Sequence, residues 1–412
     1  MNTEESEADS VGASKQNDMK ACFCAGYAPS LVNFRWQLMK SIASLGYKIL
    51  GVAPENDRDV ISRFEREGFR YLPVSMARSG ASILGDYQYL RALRRLMVDE
   101  RPNHVFCYTI KPVIFGALAA KSAKVPRVYA MITGLGYVFT GDGGVKKLLL
   151  RGVVSFLLKR ALRSCDGLFF QNPDDEAELR SRGLIPRDLA VFQVAGSGID
   201  LERFPRVPPR VLKSGERVKF LLIARMLVDK GIREFAEATK AIKDGQCLAT
   251  LVGPLDPNPA ALQREEIDLW TTDGQIRYVP GADDVRPFLS DCHVYVLPSY
   301  REGTPRTVLE AMATGRPIIT TDAPGCRETV PLTEKGKRQK AAGDLVMEGE
   351  NGFLVCVRDA VALEQAMRRF IEEPELIERM GMRSREIAEE KYDVHEVNEV
   401  MIEAMGLNEK GN

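Results

Sequence analysis

Short apolar runs rich in β-branched and aromatic residues recur along the chain, separated by longer stretches with helical spacing of apolar positions. In the first half the runs 20–25, 47–53, 69–74, 104–109, 127–132, 167–171 and 190–194 predict strands. Segments between them, such as 31–45 and 86–99, predict helices. The alternation restarts at 217–224 and continues through 247–252, 276–279, 293–297 and 317–321. Strands that alternate with helices point to parallel sheets covered on both faces. Having the pattern twice predicts an α/β chain with two doubly wound, Rossmann-like domains. The break falls where Pro205, Pro208 and Pro209 exclude regular structure, giving domains at 19–205 and 206–380 and a final helical segment at 381–412.

The stretch 299–315 carries the sharpest chemistry. Glu302 and Glu310 lie eight positions apart and straddle Gly303-Thr304-Pro305, a turn that opens an apolar helix. Pro305 suits the first helical position, where its missing N–H costs nothing. The first-turn amides and the helix dipole then favour an anion such as a diphosphate. Glu302 falls just before that anion and Glu310 about two turns beyond it. Acids repel phosphates, so carboxylates here make sense as ligands of hydroxyls, on a sugar at one side and a ribose at the other. Taken alone, a Glu-x7-Glu pair reads far more readily as two solvated glutamates on a surface helix.

Cations fall where such an anion needs them. Arg225 ends the strand 217–224, and Lys230 follows five residues on, at the edge where doubly wound sheets bind ligands. A cation about 4 Å from a phosphate charge is worth roughly 4 kcal/mol at an effective dielectric near 20. Two of them supply much of what a metal otherwise provides. The one Asp-x-Asp triplet, Asp57-Arg58-Asp59, is explained by helix capping. Cys22-x-Cys24 has no second pair, so no metal site is assigned. No Gly-x-Gly-x-x-Gly follows a strand and no Gly-x4-Gly-Lys-Ser/Thr occurs, which counts against a dinucleotide-dependent dehydrogenase and a P-loop NTPase.

The string Glu302-Gly303-Thr304-Pro305, followed by Glu-Ala-Met-Ala-Thr-Gly-Arg-Pro-Ile-Ile-Thr-Thr-Asp from Glu310, closely resembles the signature of family-4 retaining glycosyltransferases. These have the two-Rossmann-domain GT-B fold, with the domains facing an interdomain cleft. The resemblance implies that Glu302 contacts the donor sugar and Glu310 the nucleotide ribose. Arg225 and Lys230 resemble the pair that grips the diphosphate, so Glu302, Arg225 and Lys230 are the implied catalytic residues. Further donor contacts are implied at Gly303, Thr304, Pro305, Val308, Leu309, Gly253 and Gly26. Gly26 is the single glycine where the family often has two. Base recognition falls to backbone near Val279 and Pro280. Acceptor attack from the leaving group's own face is implied, with the diphosphate itself as the proton acceptor. The first domain is expected to hold the acceptor, with Asn33, Arg35, Lys111 and Thr133 as candidates. Thr133 takes the place of a histidine found in many relatives, and His104, His293 and His395 read as structural. As in the family, the stretch 376–405 is expected to cross back to the first domain.

Thr133-Gly134-Leu135-Gly136-Tyr137-Val138-Phe139, with Gly325-Cys326-Arg327-Glu328-Thr329-Val330, narrows the resemblance. It points to bacterial enzymes that extend an undecaprenyl-diphosphate-linked sugar, such as the diacetylbacillosamine-lipid N-acetylgalactosaminyltransferases. The implied donor is a UDP-sugar, the acceptor polyprenyl-linked, and the location cytoplasmic, on the inner face of the membrane. Segment 144–163 is the best candidate for membrane contact. It sets Lys146, Lys147, Arg151, Lys159, Arg160 and Arg163 among leucines, valines and Phe156, with no acid. On a helical wheel these charges do not gather on one face, and a mostly buried core helix fits equally well.

Composition removes other classes. Lys+Arg and Asp+Glu both total 57, so no nucleic-acid partner is expected, and 45% hydrophobic with 28% charged residues is ordinary for a globular protein. Eight scattered cysteines, mostly in apolar runs, read as free thiols in a reducing compartment. Residues 1–18 are acidic, serine-containing and almost without apolar side chains, and read as a disordered leader rather than a signal peptide. No run of about 18 apolar residues predicts a membrane span. Competing assignments are transfer to a soluble acceptor, a UDP-sugar epimerase of the same two-domain fold, and a non-catalytic nucleotide-sugar-binding module. The epimerase would need acid–base residues that the sequence does not display.

Overall fold

The computed structural model describes residues 19–76, 83–139, 144–209, 212, 215–242, 245–256, 261–272 and 274–408; the leader 1–18 lies outside them. The chain divides into two compact units, Met1–Val194 with Val397–Asn412, and Ala195–Glu396. The divisions therefore fall at 194/195 and 396/397, where the sequence suggested 205/206 and 380/381. The Pro205–Pro209 stretch sits inside the second unit.

The first unit contains β1 (Lys20–Cys24), β2 (Lys48–Ala53), β3 (Arg70–Pro73), β4 (His104–Tyr108), β5 (Arg127–Ile132), β6 (Gly167–Phe170) and β7 (Ala190–Gln193). They form one parallel sheet in the order β3-β2-β1-β4-β5-β6-β7. The second unit contains β8 (Val218–Ile223), β9 (Cys247–Val252), β10 (Ile276–Val279), β11 (Val294–Leu297), β12 (Ile318–Thr321), β13 (Val346–Glu348) and β14 (Gly352–Val355). Their order is β10-β9-β8-β11-β12-β14-β13, parallel except for the edge pair β13–β14. Central strands such as β6, β11 and β12 are buried at every position, as expected of sheets covered on both faces.

Among the parallel strands of each sheet the order reverses once, between β1 and β4 in the first unit and between β8 and β11 in the second. Loops leaving the carboxyl ends of such a strand pair run to opposite faces and leave a crevice between them. Side chains on the loops after β8 and β11 are therefore the ones to inspect.

Two of the helical stretches read from sequence are broken. The stretch 31–45 becomes Ala28–Phe34 and Trp36–Ser44, because Arg35 leaves helical geometry at φ −126° and turns its side chain inward. The stretch 376–405 becomes Glu375–Lys391 and Val394–Ala404. Between them the backbone pairs with Ile199 instead: Ile199 N donates to Tyr392 O (2.7 Å) and Val394 N donates to Ile199 O (3.1 Å). In the first unit, Tyr129 of β5 donates its hydroxyl to Met405 O at 2.9 Å. The Asp57 carboxylate accepts from the Asp59 and Val60 amides and caps Arg58–Arg66, as read from the sequence. All eight cysteines are free, six of them buried.

Candidate active site

Arg225 lies two residues beyond β8 and Lys230 closes a short 3-10 turn, Val228–Lys230. Ser299 and Glu302 lie on the loop between β11 and the helix Arg306–Ala313. The two loops are joined by a backbone hydrogen bond from Tyr300 N to Asp229 O, 2.9 Å. That link holds Lys230 and Glu302 in register across the crevice.

Lys230 Nζ lies 2.6 Å from Glu302 Oε1. The fully buried Ser299 donates its hydroxyl to the same oxygen at 2.7 Å. The two charged side chains are only 18% and 15% exposed, so water screens the pair poorly. Burial pulls the Lys230 amine downward, but the Glu302 carboxylate outweighs it and holds the amine above its ordinary value. Beneath the loop, Glu302 N donates to Pro324 O at 2.9 Å. Gly325, at φ +79°, packs so closely that an added Cβ would lie 2.3 Å from Glu302 O. No residue larger than glycine fits there without moving the Glu302 peptide.

The helix after this loop begins one residue later than read from sequence. Pro305 is its N-cap, at ψ 107°, and Arg306 takes the first position. The proline closes the turn in extended geometry instead of starting the helix. Arg306 Nε then reaches Glu310 Oε1 at 3.1 Å, an i,i+4 pair. Burial pushes the Glu310 carboxyl up, against the pull of Arg306. Val308 and Leu309 turn their side chains into the core, so the donor contact expected of them is open only to backbone atoms. Gly303 and Pro305 are buried and Thr304 is half-buried.

Arg225 is 61% exposed and its Nη1 meets Asp256 Oδ2 at 2.7 Å. Gly253, at φ +153°, follows β9, where an added Cβ would lie 1.8 Å from Ala224 O. Close packing between the ends of β8 and β9 is reason enough for glycine there.

The remaining candidates lie in the first unit. Gly26 follows β1, and its missing Cβ would come 3.0 Å from Thr109 Oγ1 across the β1/β4 reversal. Lys111 pairs with Asp86 at 2.9 Å, joining the first turns of Ile110–Ser122 and Ile83–Glu100. Thr133 is half-buried after β5, and Asn33 is exposed on Ala28–Phe34. Arg35 departs from the expectation that it faces an acceptor. It is buried, with its guanidinium carbon 5.2 Å from the Tyr108 ring centre and 5.9 Å from that of Phe106. The acceptor candidates thus sit on several elements, and Arg35 packs on the aromatic side chains of β4.

The histidines have structural surroundings. Burial and the nearby Arg127 push His104 down to about 4, and it stacks on Tyr129. His293 Nδ1 accepts from Lys219 N at 2.9 Å. His395 is exposed. Sequence reasoning missed Ser299, Asp256 and Gly325. Ser299 was legible as a hydroxyl three residues before Glu302, and Asp256 as an acid just past a strand's carboxyl end. Only the fold shows that Gly325 lies beneath Glu302.

What these residues assemble is a carboxylate held by an ammonium and a hydroxyl, with a guanidinium on the neighbouring loop of the same sheet edge. Such a site suits an anion that carries a hydroxyl-bearing group. Residues 217–373 match the model "Glycosyl transferases group 1", and 32–222 match "Glycosyl transferase 4-like domain". The chain is 28% identical over 345 residues to the N,N'-diacetylbacillosaminyl-diphospho-undecaprenol alpha-1,3-N-acetylgalactosaminyltransferase of Campylobacter jejuni, covering 79% of this chain and 87% of that one. It is 26% identical over 258 residues to the UDP-Gal:alpha-D-GlcNAc-diphosphoundecaprenol alpha-1,3-galactosyltransferase of Escherichia coli, covering 59% of this chain and 64% of the other. Its fold matches sucrose-phosphate synthase from Thermosynechococcus elongatus with a TM-score of 0.76 at 19% identity, over 93% of this chain and 98% of that one. The doubled sheet, the crevice chemistry and the two matched halves together place the chain among the family-4 glycosyltransferases of the GT-B fold.

Proposed function

We propose that the chain moves a hexosyl or N-acetylhexosaminyl group from a UDP-sugar to a polyprenyl-diphosphate-linked saccharide, with retention and without a metal ion, at the cytoplasmic face of a membrane. The observation that carries this reading is the Lys230–Glu302 ion pair at the β8/β11 reversal, with Arg225 on the same sheet edge. As the bond from the sugar's anomeric carbon to the diphosphate breaks, negative charge grows on the diphosphate oxygens. Cations already in place stabilise that charge without reorganisation, the largest single contribution in many such reactions. Glu302 orients the sugar by its hydroxyls, and Glu310 holds the ribose. The acceptor attacks on the face the diphosphate leaves, and a diphosphate oxygen takes its proton. The names of the Campylobacter and Escherichia relatives, both acting on undecaprenol-diphosphate-linked sugars, support the acceptor class, and the second supports the UDP donor.

The membrane surface is assigned to the helix Val145–Leu162. Leu158, Ala161 and Leu162 are buried, while Leu148, Leu149, Val153 and Phe156 are 58–69% exposed. At 100° per residue these four share one arc with Gly152, and Arg160 and Arg163 continue it over the last turn. The side chains of Lys146 and Lys147 lie outside the described set. An apolar stripe ending in arginines matches an anionic bilayer. Among the described residues no helix is long and apolar enough to cross one. Flotation with anionic liposomes is the check: the protein is expected to float, and Leu149→Asp with Phe156→Asp to release it. Unchanged flotation contradicts this surface.

The reaction is tested with a panel of UDP-sugars, an undecaprenyl-diphosphate-linked acceptor and excess EDTA, reading the anomeric configuration of the product by NMR. An α-linked product formed in EDTA is expected. An inverted linkage, loss of activity in EDTA, transfer to soluble alcohols alone, or isomerisation of the UDP-sugar without acceptor each contradicts a stated part of the reading.

A further inference from the structure

Both cations of the proposed diphosphate site already sit on carboxylates, Lys230 on Glu302 and Arg225 on Asp256. The Arg225–Asp256 pair is built by the backbone. Met226 N donates to Pro254 O at 3.0 Å, so the chain two residues before Asp256 is fastened to the residue next to Arg225. Gly253 packs on the carbonyl of Ala224 and fixes the start of the same segment. Asp256 is 13% exposed whereas Arg225 is 61% exposed. The carboxylate is thus the anchored member, and the guanidinium is the one with room to move.

We propose that Asp256 competes with the diphosphate for Arg225 and takes the guanidinium back after transfer, hastening release of the nucleoside diphosphate. This rests on the UDP-sugar reading above. Transfer breaks the bond between the sugar and the terminal phosphate, and the electron pair stays on that phosphate. Once the proton taken from the acceptor has passed on to water, the nucleoside diphosphate carries more negative charge than it brought as part of the donor, and it then holds Arg225 and Lys230 more strongly than the donor did. Trading that hold for a fixed carboxylate weakens product binding and speeds release, at the same cost to donor affinity. An exposed pair contributes little on its own, so the exchange stays reversible and its effect is a few-fold. A residue that merely positioned Arg225 for the diphosphate would act with the opposite sign.

UDP titration by calorimetry separates the two. Asp256→Asn keeps the shape and removes the charge; Asp256→Ala removes both, which guards against a chance contact of the amide. Each is expected to tighten UDP binding by roughly two- to fivefold. UDP inhibition of turnover should strengthen by the same factor. In an Arg225→Ala background neither substitution should change UDP affinity. Affinity that is unchanged or weaker in both Asp256 variants overturns the proposal, as does tightening that persists without Arg225. A parent protein that binds no UDP overturns the donor reading and this inference together. A parent that binds UDP, with variants that do not tighten it, overturns this inference alone.

Discussion

Lys230→Ala is expected to lower kcat by about 10²–10³-fold, the usual loss when one donor to a developing anion is removed. Stability should fall too, because the Glu302 carboxyl group, only 15% exposed, would lose its ammonium partner. Leaving such a charge unpaired costs about 1–3 kcal/mol. Glu302→Gln should leave Lys230 stranded in the same way, although Ser299 can still donate to the amide oxygen. The double variant Lys230→Ala/Glu302→Gln removes both charges together. It should recover most of the lost stability and none of the lost turnover. Urea denaturation and initial rates on the same preparations check both halves. Near-parental kcat in Lys230→Ala, or activity returning in the double variant, would show that the pair only props up the fold.

Glu310→Ala is expected to raise the donor KM by roughly 10–100-fold with kcat changed far less, since hydrogen bonds to a charged group contribute about 1.5–3 kcal/mol. A ribose is bound equally in the ground and transition states, so its loss appears in binding. Burial lifts the Glu310 carboxyl above its usual range. The carboxylate that accepts from the ribose is therefore lost at higher pH than for an ordinary glutamate, and the donor KM should climb as pH falls through that raised value. In Glu310→Ala this climb should disappear. A fall in kcat at unchanged KM would place Glu310 in the chemistry instead.

Much of this architecture was legible in the chain because the signals were local. Twelve of the strands coincide with apolar runs bounded by polar residues, whereas β13 and β14 did not stand out. They are three and four residues long, and Val346-Met347-Glu348 has a single apolar-facing position to show. Helix breaks at Arg35 and at Tyr392–Asp393 were hidden for a different reason. The residues there are compatible with helix, and it is tertiary pairing, with the aromatic rings over Arg35 and the backbone of Ile199, that ends the helices. The site divides along the same line. Glu302 and Glu310 were readable because the family string carries them, and Arg225 and Lys230 because they follow the carboxyl end of an apolar strand. That Lys230 is paired with Glu302 and Arg225 with Asp256 was not readable, because the partners lie 72 and 31 positions apart in sequence. Val308 and Leu309 show the reverse case: inside a functional string their side chains serve the core and leave only backbone atoms to a donor.

The central claim is that the loops after β8 and β11 hold one diphosphate between Arg225, Lys230 and the Gly303-Thr304-Pro305 turn. A crystal structure of the protein with UDP tests it most directly. Diphosphate oxygens are expected within about 3.2 Å of Lys230 Nζ and the Arg225 guanidinium, with the ribose hydroxyls on Glu310. UDP bound elsewhere on the chain, with these side chains not touching it, would contradict the assignment.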